Sequence, residues 1–244
     1  MLITDSIKEW DSQIRLFSRY FLAHIRVPEK VKFSLLDVGC GTGSGLAEIK
    51  KLAPQADLSG CDLEDLHVAL ARQLNAANAR FFKSDIRSIF ASFDCIYASN
   101  ILEHIPEWRD CITHLCSLAP HVFVLVPYRE NLADKIRSGI ENVDHLNSYD
   151  RNSFSFLRDE SRSVTVRVIR TPHAWGYPIL RELRKKVGLR LRNEKYSIKR
   201  ELLVLIRTAR RAHETQHELA FGFRNRWISQ IRSALVTARY SWTR

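Results

Sequence analysis

Leu35-Leu36-Asp37-Val38-Gly39-Cys40-Gly41-Thr42-Gly43-Ser44-Gly45 is the run from which the fold can be read. An apolar pair leads into an acid, and four glycines follow at alternate positions. Glycine takes up φ > 0 and lets backbone approach a ligand closely, and it weakens the interior of a strand or helix. The run therefore predicts a turn shaped to hold something, entered from a strand and left through a helix. The acid narrows what is held. A loop built for phosphate relies on amides, a Lys or a helix N-terminus. Asp37, ahead of the turn, repels a phosphate and attracts a cation.

Outward from this run, strand and helix patterns alternate. Residues 33–38 predict a strand, and a helix opens at 45–52. Residues 57–61 form a second strand ended by Asp62, and 64–77 a helix with Leu66, Leu70 and Leu74 on one face. Residues 79–83 form a third strand ended by Asp85, and 93–98 a fourth ended by Asn100. A helix over 108–118 and a strand over 121–126, stopped by Pro127, follow. Apolar strands alternating with amphipathic helices give right-handed βαβ units and a parallel sheet covered on both faces. Residues 128–150 are polar, and 144–150 predict a loop leading to a helix N-cap. Two more strands are expected at 164–169 and 201–206, joined by a long connection over 172–200. The fold class is α/β, with a doubly wound, mostly parallel, seven-stranded sheet.

The termini differ from this core. Ile7, Trp10, Ile14, Phe17, Phe21 and Ile25 recur at helical spacing, so 6–26 predict an amphipathic helix closed by Pro28. Trp10, Phe17 and Phe21 read either as core or as a lid. From 212 onward, Leu219, Phe223, Trp227, Ile231 and Leu235 recur every four residues, a helical extension. The expected divisions are a helical cap over 1–30, a ligand-binding domain over 31–206 and a basic helical extension over 207–244.

Composition bounds the rest. With 244 residues, 45% of them hydrophobic, the chain can bury a full core. No apolar stretch approaches the roughly 20 residues of a membrane span, and the N-terminus lacks the basic flank of a signal peptide. Five cysteines (Cys40, Cys61, Cys95, Cys111 and Cys116) include no C-x-x-C pair. They read as small buried hydrophobes in a reducing compartment, so a cytoplasmic protein without disulfides or a metal site is expected. Of the net charge of +11, residues 181–244 contribute +12 and residues 1–180 contribute −1. Arg184, Lys185, Lys186, Arg190, Arg192, Lys195, Lys199 and Arg200 cluster there, with Tyr196, Phe221, Phe223 and Trp227 nearby. This basic region reads as a solvated helix face or oligomer contact, as a surface for anionic membrane or a lipid-linked substrate, or as a nucleic-acid footprint.

In an open parallel sheet, ligands bind beyond the carboxyl ends of the strands, where the strand order reverses. Asp37 and Gly39, Asp62, Asp85 and Asn100 fall on four successive strand ends. This series resembles the class I S-adenosylmethionine (SAM) methyltransferases, whose cofactor carries a sulfonium, an ammonium and no phosphate. The resemblance is good over about 33–127 and loose over 128–206. It implies the Rossmann-like methyltransferase fold, with the last strand inserted antiparallel. It also implies that Gly39, Cys40 and Gly41 pass under the methionine and ribose of SAM, with Asp37 orienting the turn. Asp62 would accept from the ribose hydroxyls, Leu63 pack on adenine, and Asp85 accept from the adenine amino group with the Ile86 amide near the ring; Asn100, at the end of the fourth strand, is counted among the cofactor-binding residues. A dinucleotide fold also carries an acid after the second strand, and Asp62 lies near that interval. Its Gly-x-Gly-x-x-Gly fingerprint is not met, because Ser44 stands at the third position.

Asn100-Ile-Leu-Glu-His-Ile-Pro106 is similar to the corresponding segment of ubiquinone-type O-methyltransferases, and it lacks the [ND]-P-P-[YFW] of many base methyltransferases. The resemblance implies O-methylation of a small molecule or glycan. His104 and His145 are the candidate general bases, each with a pocket-wall role as the alternative, and Tyr128 and Tyr149 read as wall residues. Two other readings stay open: an RNA methyltransferase using the basic region, and a catalytically idle SAM-fold subunit that partners another protein.

Overall fold

The computed structural model describes residues 2–26, 31–132, 145–173, 197–209 and 222–223. In chain order the elements are α1 (Leu2–His24), β1 (Ile25–Arg26), β2 (Phe33–Val38), α2 (Ser44–Leu52), β3 (Ala56–Asp62), α3 (Asp65–Asn75) and β4 (Arg80–Lys83). They continue with β5 (Cys95–Ser99), α4 (Trp108–Leu118), β6 (His121–Pro127), β7 (Arg162–His173), β8 (Ser197–Thr208) and β9 (Gly222–Phe223). Single 3-10 turns lie at Ile86–Ser88, Leu102–His104 and Ser155–Leu157.

Seven strands form one sheet in the order β4-β3-β2-β5-β6-β8-β7. The pairings β2–β3, β2–β5, β3–β4 and β5–β6 are parallel, and β8 runs antiparallel to both β6 and β7. This is the Rossmann-like methyltransferase fold. The chain winds outward from β2 to β4 and then crosses back to β5, so the order reverses between β2 and β5. The carboxyl ends of those two strands carry the turn at Gly39 and the residue Asn100.

Both faces of the sheet are covered, which is why its central strands are apolar runs rather than alternating ones. One face packs Leu36, Val38, Ile96, Ala98, Val122 and Val124 against Ile112 and Leu115 of α4. The other packs Leu35, Cys95, Tyr97, Phe123 and Leu125 against Phe17 and Phe21 of α1 and Leu46 and Ile49 of α2. Phe21 stacks on Tyr97 with ring centroids 4.2 Å apart and meets Phe123 edge-on at 5.0 Å. The N-terminal helix is thus part of the core. All five cysteines are buried free thiols.

Several expectations change. α3 does not bury its leucines: Leu66 and Leu74 are 61% and 59% exposed, while Val68, Ala71 and Asn75 face inward. The space beside the glycine turn is filled by the ring of Phe81, whose Cζ lies 2.5 Å from a Cβ built on Gly43. A Cβ built on Gly43 would sit 3.4 Å from the Ala71 Cβ. The strands β7 and β8 run further than expected, to His173 and from Ser197, which shortens the connection between them. The loop over 145–150 leads into a turn and one 3-10 turn rather than a full helix, and Asp150 caps it by accepting the Asn152 amide at 2.8 Å. Within the C-terminal extension, Gly222–Phe223 is a strand paired antiparallel with Ile25–Arg26, not helix. The remaining helical extension, the closing role of Pro28 and the basic cluster over 184–195 lie outside the described residues. Among the described residues, no helix is long and apolar enough to cross a membrane.

Candidate functional site

The turn after β2 is held from three sides. The Gly39 and Cys40 amides both donate to the Cys61 carbonyl at 2.9 Å, which fastens the turn to the end of β3. Asn75, at the end of α3, donates through Nδ2 to the Thr42 carbonyl at 2.8 Å. From α1, the Asp11 carboxylate accepts from the Thr42 hydroxyl at 2.7 Å and from the Ser44 hydroxyl. Arg15 and Arg19 of the same helix reach Glu48 of α2, at 3.3 and 2.9 Å. The first helix therefore grips both the turn and the helix that follows it.

Gly39 shows why glycine is required there. Its φ is +72°, and a Cβ would meet Ile101 Cδ1 at 2.8 Å. Across the site, Asn100 takes φ +51°, unusual for a residue with a side chain and short of the steric cost a β-branched residue would meet. Backbone of positive φ thus flanks the strand-order reversal on both sides.

Asp62 has its carboxylate oriented by three donors. Oδ2 accepts the Gly41 amide at 2.9 Å, and Oδ1 accepts the Glu64 amide at 3.0 Å and faces His67 Nδ1 at 3.2 Å. Burial pushes its pKa up, but these bonds outweigh burial and hold it below the ordinary carboxylate value. His67 is correspondingly raised, chiefly by its bond to Asp62. Asp37 is 4% exposed, and its carboxyl is pushed up to about 8 by burial and then by the charge of Asp62. A buried carboxyl in that state gains from a nearby cation.

Asp85 caps the Ile86–Ser88 turn. Its Oδ1 accepts the Arg87 amide at 2.8 Å and Arg87 Nε at 3.2 Å, while Oδ2 takes Arg87 Nη2 at 3.1 Å. The loop that would carry an adenine is thereby fixed by its own arginine.

Asp37, Gly39, Cys40, Gly41, Asp62, Leu63, Asp85, Ile86 and Asn100 all line one cavity of about 610 Å³, within the usual range for small-molecule sites. His104 lines it as well. The cavity also takes Ile14, Phe17 and Ser18 from α1, so that helix is wall as well as core. His67, Glu107 and Cys111 are lining residues that sequence reasoning missed; His67, five residues after Asp62 on the first turn of a helix, was the one with a readable signal.

His145 is not in the lining, but its ring meets that of His104 edge-on with centroids 4.7 Å apart. The loop over 145–149 is locked in place. The Leu146 and Asn147 amides donate to the Glu103 carbonyl at 2.7 and 3.2 Å, and Asn147 Nδ2 donates to the carbonyls of Leu102 and Ile105. His145 Nδ1 donates to Glu130 Oε2 at 2.5 Å. Glu103, His104 and His145 thus come together, each offering a donor atom within 4.8 Å of the others. Sequence reasoning paired the two histidines as alternatives and left Glu103 out. Tyr149 is buried behind them against Trp108 and Phe154.

Residues 36–119 match a family model described as a methyltransferase domain. Trans-aconitate 2-methyltransferase of Deinococcus radiodurans is 33% identical over 81 residues, 33% of this chain and 31% of that protein. The Escherichia coli enzyme of the same name is 32% identical over 96 residues, 38% of this chain and 37% of that one. The matched stretch thus spans about a third of these curated relatives. Among solved structures, the plantazolicin methyltransferase BpumL in complex with SAH aligns with a TM-score of 0.54 at 17% identity, covering 84% of this chain and 85% of that one. A protein solved with the Haloferax volcanii Trm112 methyltransferase activator aligns with a TM-score of 0.61 at 16% identity, covering 84% and 95%. At those identities the likeness is one of fold.

Proposed function

We propose that the chain, whose residues 36–119 match a methyltransferase domain, is a class I SAM-dependent methyltransferase that transfers the methyl group of SAM to an oxygen atom of a small-molecule or glycan acceptor. The observation that carries the cofactor reading is the Asp37 carboxyl, buried in the wall of the cavity beside Asp62. Such a wall suits a ligand bearing positive charge and disfavours a pyrophosphate. The Gly39–Gly41 backbone gives the methionine portion a close approach, and the Asp62 carboxylate, already aimed by three donors, keeps lone pairs for the ribose hydroxyls.

The acceptor is expected on the His104 side of the cavity. Transfer from a sulfonium depends on holding two reactants in line and excluding water. An acceptor hydroxyl must in addition lose its proton, and the His104–His145–Glu130 cluster is where that need is met. The curated relatives are named for a small-molecule acceptor, which supports the acceptor class.

Calorimetric titration with SAM, with NAD and NADP as controls, tests the reading. Binding of SAM alone is expected; binding of a dinucleotide instead would overturn it. Acceptor screening with radiolabelled methyl then tests for turnover.

A further inference from the structure

We propose that Glu103, His104 and His145 bind one divalent transition-metal ion beside the cofactor cavity. The binding claim rests on the cluster itself; its use in catalysis rests on the methyl-transfer reading above.

The donor set is one carboxylate and two imidazoles, a combination that suits Zn²⁺, Mn²⁺ or Co²⁺ better than Mg²⁺, which prefers oxygen ligands. The three donor atoms lie within 4.8 Å of one another. Ligand bonds of about 2.0–2.2 Å bring donors to separations of roughly 3–4 Å, a change that side-chain rotation supplies. Glu103 is fully buried, and both histidines are partly buried, so water competes poorly for the site.

A second observation points the same way. Glu130 is a carboxylate and can only accept, so His145 Nδ1 carries the hydrogen between them. That bond occupies Nδ1, so Nε2 is the ring nitrogen His145 would offer to an ion. A carboxylate behind a ligating imidazole is the arrangement that fixes tautomer and ring direction at metal centres. The backbone supports it too: the amides of Leu146 and Asn147 on the Glu103 carbonyl tie the segment bearing His145 to the segment bearing the other two donors. His104 and His145, 41 positions apart in the sequence, are thus held in one cluster.

His104 also lines the cavity, so an ion on it would stand where an acceptor oxygen approaches the cofactor. There it would serve as a Lewis acid, making an acceptor hydroxyl easier to ionise at neutral pH. The histidines would then act as ligands rather than as bases, and the acceptor class narrows to molecules presenting an oxygen donor to a cation.

The test uses the full chain, stripped with a chelator and titrated with Co²⁺, read by visible absorption. Wild type is expected to bind one ion per chain with the spectrum of mixed nitrogen and oxygen ligation. His145→Gln should weaken binding at least tenfold, and Glu130→Gln by roughly 10–100-fold, the range for a partner behind the ligand. Neither residue lines the cofactor cavity, so SAM titration serves as the folding control for both. Wild type that takes up no Co²⁺, or variants that bind it as wild type does, would overturn the proposal. Wild type that binds SAM but takes up no Co²⁺ sinks only this inference; wild type that fails to bind SAM sinks the methyl-transfer reading and leaves the metal result standing.

Discussion

Asp62 and Gly41 are joined by a 2.9 Å hydrogen bond from the amide of one to the carboxylate of the other, which fixes the end of β3 against the glycine turn of β2. One side chain thus shapes the glycine turn and lines the cavity. Asp62→Ala is expected to weaken SAM binding by about 1.5–3 kcal/mol, the range for a lost hydrogen bond to a charged group. Calorimetric titration measures it, and unchanged affinity would remove Asp62 from the ribose role.

Asp37 makes a pH prediction whose sign follows from its raised pKa of about 8. Between the ordinary carboxyl value and about 8, the ligand-free fold holds a proton that the unfolded chain has lost. Stability of the ligand-free protein should therefore fall as pH rises through that window. A cationic ligand favours the ionised form, so SAM affinity should rise from about pH 6 to about pH 9, with proton release on binding. Asp37→Asn should flatten both trends. Thermal midpoints and titrations in buffers of different ionisation enthalpy check this; parallel curves for the two proteins would refute it.

Gly39 couples conformation to packing. Gly39→Ala meets both the positive φ and the Ile101 side chain, and should cost about 1–3 kcal/mol of stability. Adding Ile101→Ala removes the clash but not the strain. Chemical denaturation of both variants, each against its matched background, should show a smaller cost in the second; equal costs would mean that sterics play no part.

The grip of α1 on the turn is also measurable. Asp11→Ala deletes the acceptor for Thr42 and Ser44 and the partner of Arg15. A loss of about 1–3 kcal/mol is expected, together with weaker SAM binding, because α1 walls the cavity. Denaturation and titration should move together; a variant that loses stability but binds SAM normally would separate the helix from the site.

The strand ends were legible because the apolar runs stop abruptly at Asp37, Asp62, Asp85 and Asn100, and topology alone then gathers them. The buried face of α3 was not, because leucine spacing reports amphipathicity without saying how close the neighbouring turn comes. Val68 and Ala71 face inward, and the ring of Phe81 fills the space beside Gly43. The Glu103–His104–His145 cluster was hidden for another reason: its members come from two segments distant in sequence that the Leu146 and Asn147 bonds help bring together. Asp85 was legible as a strand-end acid but not as the partner of Arg87, because a residue two places along reads from sequence as solvated charge.

The two-residue ladder between Ile25–Arg26 and Gly222–Phe223 has a consequence for the chain as a machine. It closes the polypeptide into a loop, so the stretch bearing the surplus of +12 is spliced by backbone to the helix that walls the cavity. Any coupling between that ladder and the cavity would run both ways: a partner of the tail that loosened the ladder would change the grip on ligand, and a bound ligand would oppose the loosening by the same free energy.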